Sequence, residues 1–279
     1  MFGVVLALCA AASWGSADFL GGVSTKRLPI LTVSAVSQFV GLLFAGAIVL
    51  ATGAAMPGER TLLIGLAAGV VGGVGLAALY SGLAIGPMGV VAPIAALSAV
   101  VPVAVGLARG ERPAAIQLVG VALALVGVVL AARHRDESGA RVHPRAIALA
   151  AAAAFCIGLM IVLLDDAGGA SPSWTVLMVR VGALSLLSVA LLVRRPSFTM
   201  DREQLGTLAG VGVLDNAANL LFVIAAQHGL LSLIAVLASL YPVTTVLLAR
   251  IALHERLSRI QIVGIAMALA GVALIALGG

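Results

Sequence analysis

Apolar runs about as long as a membrane is thick recur from one end of the chain to the other, with short polar links between them. Ten such runs predict helices over 2–21, 30–52, 61–83, 88–108, 115–132, 145–164, 174–193, 205–227, 231–251 and 259–277. A helix rises about 1.5 Å per residue, so roughly 20 apolar residues cross about 30 Å of hydrocarbon. No run alternates apolar with polar residues, which excludes a β-barrel. The pattern predicts an all-α polytopic membrane protein of ten transmembrane helices.

The runs are organised by a repeat. Glu111-Arg112, Gln117, Gly120 and Gly127 recur as Glu255-Arg256, Gln261, Gly264 and Gly271, all at an offset of 144. Shared composition explains matching Ala, Val and Leu, but not Glu, Arg, Gln and two Gly in one register. Upstream, Pro29-x-x-Thr32-Val33 recurs as Pro172-x-x-Thr175-Val176, and Gly86 as Gly229, at an offset of 143. This is an internal duplication. The longest link, Arg133 to Pro144, is the seam. The expected division is a first five-helix repeat over 1–132, an inter-repeat loop over 133–144 and a second repeat over 145–279. Five is odd, so the second copy enters the bilayer from the other side. An inverted repeat of this kind belongs to secondary transporters, with a site near mid-membrane between the copies.

Composition agrees: 62% of residues are hydrophobic and 10% charged, and mean hydropathy is +1.21. A soluble domain carries about 25% charged residues. The net charge of +5 is spread over the links. It reads as topology signal and lipid-headgroup contact, with no nucleic-acid patch. Three Lys and Arg flank the face of the N-terminus and twelve the other, so the positive-inside rule places both termini outside the cytoplasm. The first run lacks a basic leader and contains Asp18, unlike a cleaved signal peptide. Cys9 and Cys156 read as small packing residues.

Glycines at Gly65, Gly69 and Gly73, and at Gly206 and Gly210, are spaced for close helix contact. The pairs Gly120/Gly127 and Gly264/Gly271 are expected either to join the two halves or to join a second subunit. Pro102 and Pro242 are expected to bend their helices.

A charge at mid-membrane costs about 2.5–3.5 kcal/mol on insertion scales, so each one asks for a reason. Asp215, Asn216 and Asn219 read either as lining a cavity or as a polar clasp between helices. Arg180 reads as the fixed partner of Asp215 or as an anchor for a substrate carboxylate or phosphate. Both hold if substrate competes for the pair. Asp18 either reaches the interface or is a cavity carboxylate for a cationic substrate or a coupling proton. Trp14 is a packing aromatic or the floor of that cavity. The expected substrate-binding set is Trp14, Asp18, Gln38, Tyr80, Arg180, Asp215, Asn216, Asn219 and Tyr241. Ser81, Gln227 and Thr244 are weaker candidates. His228 reads as an exposed histidine at a helix end, and Asp165-Asp166 as a solvated loop.

The motifs together resemble the EamA family of the drug/metabolite transporter superfamily: Trp14-Gly15-Ser16, the doubled Glu-Arg, and the doubled Gln-x-x-Gly-x6-Gly. The resemblance covers nearly the whole chain. It implies ten helices in a basket around a cavity that opens alternately to either side, moving amino acids, nucleotide-type metabolites, sugars or drugs. The last helix of each copy also looks like the dimerising helix of small multidrug-resistance proteins. The sequence departs from the family pattern at Asp18, where many members carry an apolar residue. The fourth helix has Ser98 or Ala99 at the place of Pro242.

The resulting expectation is a secondary transporter, an exporter of a small metabolite such as an amino acid or drug-like compound, in the cytoplasmic membrane. Its partners are a small-molecule substrate, coupled protons and the bilayer, with the protein a monomer or a homodimer. No Walker A pattern supplies an ATP motor, no metal or cofactor is expected, and no hydrolase motif supports an intramembrane enzyme using Asp18, Asp215 and His228. The competing reading is a non-transporting membrane scaffold or sensor.

Overall fold

The computed structural model describes all residues except 86–87, 132–143, 195, 197, 253–257 and 279, together with the side chains of 88–90 and 93. The seam loop, Gly86, Arg195 and the second Glu-Arg at 255–256 therefore lie outside the described residues.

Among the described residues the chain is helical, with no strand. The helices are α1 (Phe2–Thr25), α2 (Ile30–Thr52), α3 (Glu59–Ile85), α4 (Met88–Ala95), α5 (Val100–Ala108), α6 (Ala115–Ala131), α7 (Pro144–Gly168), α8 (Pro172–Arg194), α9 (Arg202–Ala226), α10 (Leu231–Ala238), α11 (Tyr241–Ala252) and α12 (Arg259–Leu277). Among the described residues, eight helical stretches are long and apolar enough to cross a membrane, and two shorter apolar ones span Ala96–Ala108 and Ala115–Ala131.

Two expected continuous helices are interrupted. The run over 88–108 passes through a 3-10 turn at Ala96–Ala99, and the run over 231–251 breaks at Ser239-Leu240. Pro102 and Pro242 each fall in the first turn of the helix after the break. A proline is tolerated there because its missing N–H would have no helical partner. The fourth run breaks without a proline at the position matching Pro242, so proline alone does not cause the break.

The doubled motif resolves into three structural tasks. Its glutamine caps its own helix: the Gln117 side chain accepts the Ala114 N–H at 2.8 Å, and Gln261 accepts that of Ser258 at 2.9 Å. Ser258 completes a reciprocal capping box with Gln261. Its glycines bring α6 and α12 into backbone contact. A Cβ on Gly120 would stand 2.8 Å from the Gly271 carbonyl, and one on Gly271 2.6 Å from that of Gly120. Gly127 and Gly264 meet in the same reciprocal way. Rising numbers on α6 face falling numbers on α12, so the two helices run antiparallel. These glycines thus join two halves of one chain. The third task, that of Glu111, belongs to the face of the termini described below.

The remaining packing is as tight. Gly69 on α3 abuts the Val179 carbonyl of α8, and Gly182 on α8 abuts that of Leu66. Gly212 on α9 abuts the Ser37 carbonyl of α2. The expected contact glycines Gly206 and Gly210 instead have nothing within 4 Å of an added Cβ. They are four apart, but on the side of α9 turned away from its neighbours, and the close approach falls to Gly212. Helix α1 lies against α9, α10 and α11, while α7 lies against α3, α4 and α5. Met1, Gln117, His228 and Ala276 line one recess, so the start of α1 and the end of α12 share a face.

A candidate solute site at the centre of the bundle

Three helices meet around Arg180. It stands eight residues into α8, about 12 Å along at about 1.5 Å per residue. Gly41 on α2 leaves room for its stem, since a Cβ there would touch Arg180 Cδ and Nε at 3.4 Å. The guanidinium is only 3% exposed. Its Nε donates to Asn216 Oδ1 at 2.8 Å. Its Nη1 donates to Gln38 Oε1 at 2.8 Å and to Asp215 Oδ2 at 2.6 Å. A cation so deep is tolerable only when paired and hydrogen-bonded, and this one is both.

The pair is asymmetric. Arg180 is sealed, whereas the Asp215 side chain is 30% exposed. Asn216 and Asn219 are buried, at 0% and 3%. Asn219 turns its amide back to the Asp215 carbonyl at 2.7 Å. Four buried side-chain atoms in this region have no partner: Arg180 Nη2, Asn216 Nδ2, Asn219 Oδ1 and Thr175 Oγ1. Thr175 was not singled out in the sequence as a site residue. The signal that could have found it is the doubled Pro-x-x-Thr, whose first copy, Thr32, is equally buried.

Across from this pair lies Asp18. Its residue surface is not covered by the neighbouring helices, yet the carboxyl is set deep among them, within electrostatic reach of Asp215 on α9, Tyr80 on α3 and Tyr241 on α11. Neighbours on three other helices describe a group turned toward the bundle, not a lipid-facing one. Tyr80 is 40% exposed, and Tyr241 is half-buried. Tyr241 is placed by the α1–α11 contact, where Thr245 donates to the Gly15 carbonyl at 3.0 Å. Next to it, a Cβ on Gly15 would collide with the Tyr241 carbonyl. Trp14 packs on Phe222 with ring centroids 6.0 Å apart.

The nine expected residues therefore fall into two layers. Asp18, Tyr80, Tyr241 and Asp215 lie within electrostatic reach of one another. Arg180, Asn216 and Asn219 stand behind Asp215, Gln38 completes the Arg180 shell, and Trp14 closes the α1–α9 seam.

The face of the termini is bolted. Arg109, after α5, pairs with Asp166 at 2.8 Å and Asp165 at 3.5 Å. These two acids belong to the last turns of α7, not to the expected solvated loop, because Arg109 gives them a partner. Hydrogen bonding to Asp166 in turn strengthens the hold of Arg109 on its proton. Glu111 accepts the backbone N–H of Leu231 at 2.6 Å and of Ser232 at 3.0 Å, at the start of α10. Gly106 makes room for it, since a side chain there would strike the Glu111 carboxylate. Gln227 donates to the Gly168 carbonyl at 2.8 Å. His228 is exposed at its helix end, as expected, with its ring edge-on to Phe2.

A long apolar helical bundle with an ion pair held inside it defines an integral multi-pass membrane protein of the transporter class. The family model described as the EamA-like transporter family matches residues 1–133 and 144–277. The chain belongs to that family, and so to the drug/metabolite transporter type. No curated protein matches its sequence. Its fold is similar to a solved structure described only as "Crystal structure of protein", at 19% identity and a TM-score of 0.84, covering 99% of this chain and 98% of that one.

Proposed function

We propose that the protein is a secondary transporter of the cytoplasmic membrane, exporting a small metabolite such as an amino acid or drug-like compound. The observation that carries this reading is the Arg180–Asp215 pair, with Asp18 beside it, inside an apolar bundle. A carboxylate in a membrane interior needs a use, and a solute path supplies one. The cycle is alternating access between two inverted five-helix repeats of a ten-helix chain.

Several observations support the repeat. The family model matches the chain twice, on either side of the seam. The packing also maps onto itself when the first five apolar runs are exchanged with the last five. Thus α3 on α7 answers α9 on α1, α3 on α8 answers α9 on α2, and α6 on α12 answers itself. A carrier of this design needs neither ATP nor a catalytic centre. In proteoliposomes it should move solute down an imposed gradient without ATP. Failure of every gradient to drive any solute would favour the scaffold reading.

In this reading the described state is closed on the face of the termini and open on the other. Glu111 is then an outer latch: a carboxylate bonding two free N–H groups at the positive end of a helix. Charge-assisted bonds of this kind are each worth about 1.5–3 kcal/mol. Glu111→Ala should shift the population toward opening at the termini. In a background lacking Cys9 and Cys156, a cysteine replacing Ser232, which is 1% exposed, should react several-fold faster with an impermeant thiol reagent added from that face. Equal rates with and without the Glu111 carboxylate would remove the latch from the cycle.

A further inference from the structure

We infer that the turn Arg109-Gly110-Glu111 is a two-pronged clamp that closes the face of the termini as a single unit and makes its opening sensitive to salt. The inference rests on the reading that this face opens and closes during transport.

The turn is built as one rigid piece. Helix α5 ends in a Schellman motif: the Gly110 N–H donates to the Leu107 carbonyl at 3.0 Å, and the Glu111 N–H to that of Gly106 at 3.0 Å. The Arg109 N–H donates to the Val105 carbonyl at 2.9 Å. Gly110 takes a φ of +91°, a conformation that glycine adopts without strain. The residues on either side of it are thereby rooted in the same turn, and their side chains reach two different helices. Arg109 holds the end of α7 through Asp166 and Asp165. Glu111 holds the first two N–H groups of α10. Helix α5 itself lies against the same two helices.

The receiving side is also one piece. Gly168, at the end of α7, leaves no room for a Cβ against Val223 of α9, and Gln227 donates to its carbonyl at 2.8 Å. The link from α9 to α10 covers only 227–230. The end of α7 and the start of α10 are therefore tied to the same helix end. With both sides rigid, neither prong lets go while the other holds, and α5 must withdraw from both contacts at once.

The prongs differ in kind. Arg109 is 44% exposed and its two acids are partly exposed, so dissolved ions screen that pair. Glu111 bonds backbone N–H groups at a part-buried position, where salt acts less. Ionic strength on this face thus sets the strength of closure through Arg109.

The test places reporters on both gripped helices. In a background lacking Cys9 and Cys156, the full-length protein in oriented proteoliposomes carries either Ala167→Cys on α7 or Ser232→Cys on α10, both at buried positions. Their reaction with an impermeant thiol reagent added from the face of the termini is timed. Arg109→Gln removes the prong on α7, yet should speed labelling at Ser232→Cys several-fold, by the same factor as at Ala167→Cys. Glu111→Ala removes the prong on α10 and should likewise speed both reporters equally. In the double variant the two factors should multiply, because both contacts belong to one opening equilibrium. Gly110→Ala keeps both side chains but strains the turn, and should also speed both. Raising salt from about 0.05 M to about 1 M, where the Debye length falls to about 3 Å, should speed labelling with Arg109 or Arg109→Lys and not with Arg109→Gln. Unfolding temperature checks that each variant folds.

Variants that speed only the reporter on the helix they touch would overturn the inference, since the prongs would then be independent. So would unchanged rates at both reporters in folded Arg109→Gln or Gly110→Ala, or a salt dependence that survives Arg109→Gln. Coupled rates in a protein that moves no solute under any gradient would uphold the clamp and sink the transport reading.

Discussion

Asp215→Ala should be the most damaging single change in the bundle interior. It leaves the Arg180 guanidinium, 3% exposed, with amide acceptors alone and no counter-charge. Removing one partner of a buried pair costs about 3–5 kcal/mol, because the survivor remains an unpaired charge. The lower end applies here, since Asp215 is itself 30% exposed and water already shares its charge. The reverse change should cost less. In Arg180→Met the stem is kept and the orphan is Asp215, which is 30% exposed rather than sealed. The double variant Arg180→Met/Asp215→Leu should recover much of the stability lost in Asp215→Ala, and should carry no solute. Thermal unfolding in detergent, read beside proteoliposome flux, checks the order. An Asp215→Ala protein as stable as the wild type would show that the pair is not what holds α8 against α9.

The second large effect is expected where α6 crosses α12. A Cβ at Gly127 would run into the Ala268 backbone nitrogen and come 2.7 Å from the Gly264 carbonyl. Backbone cannot rotate away as a side chain can, so Gly127→Val must push the helices apart. Overpacking costs about 1–3 kcal/mol, and more where nothing yields. Gly127→Ala and Gly264→Ala act on one contact, so combining them should cost less than their sum. Gly210→Ala is the control. With open space around it, it should be neutral, or stabilising by up to about 1 kcal/mol through helix propensity. Unfolding temperatures of the five variants test this, and destabilisation by Gly210→Ala equal to that by Gly127→Val would refute the crossing as the cause.

The two glycine sites show where sequence reading stops. Spacing says that Gly206 and Gly210 share a helix face, and that Gly120 and Gly127 lie two turns apart. It does not say which face meets a neighbour. Asp165-Asp166 beside two glycines reads as loop until Arg109, distant in sequence, supplies a partner that holds the last turn of α7. The capping role of Gln117 was present in the sequence as a glutamine three residues into a helix, but its twin function was visible only once Ala114 and Ser258 were seen to be the caps.

By itself the sequence determined that the chain is helical and membrane-embedded, because the length and apolarity of a run are local properties that any bilayer reads directly. The helices Ile30–Thr52 and Arg259–Leu277 begin and end where hydropathy placed them. The sequence also marked the chemistry: unlike charges at Arg180 and Asp215, too deep to be left alone. Only the tertiary structure decided which of these groups is buried. Burial depends on what the other helices cover. Thus Arg180, Asn216 and Asn219 became the support behind Asp215, while Asp18 was brought within electrostatic reach of it. It decided the breaks at Ala96–Ala99 and Ser239-Leu240 as well, and it turned a duplicated glutamate into a bolt between Glu111 and the start of α10. Each of these rests on a partner far along the chain, and no local pattern encodes a distance in space.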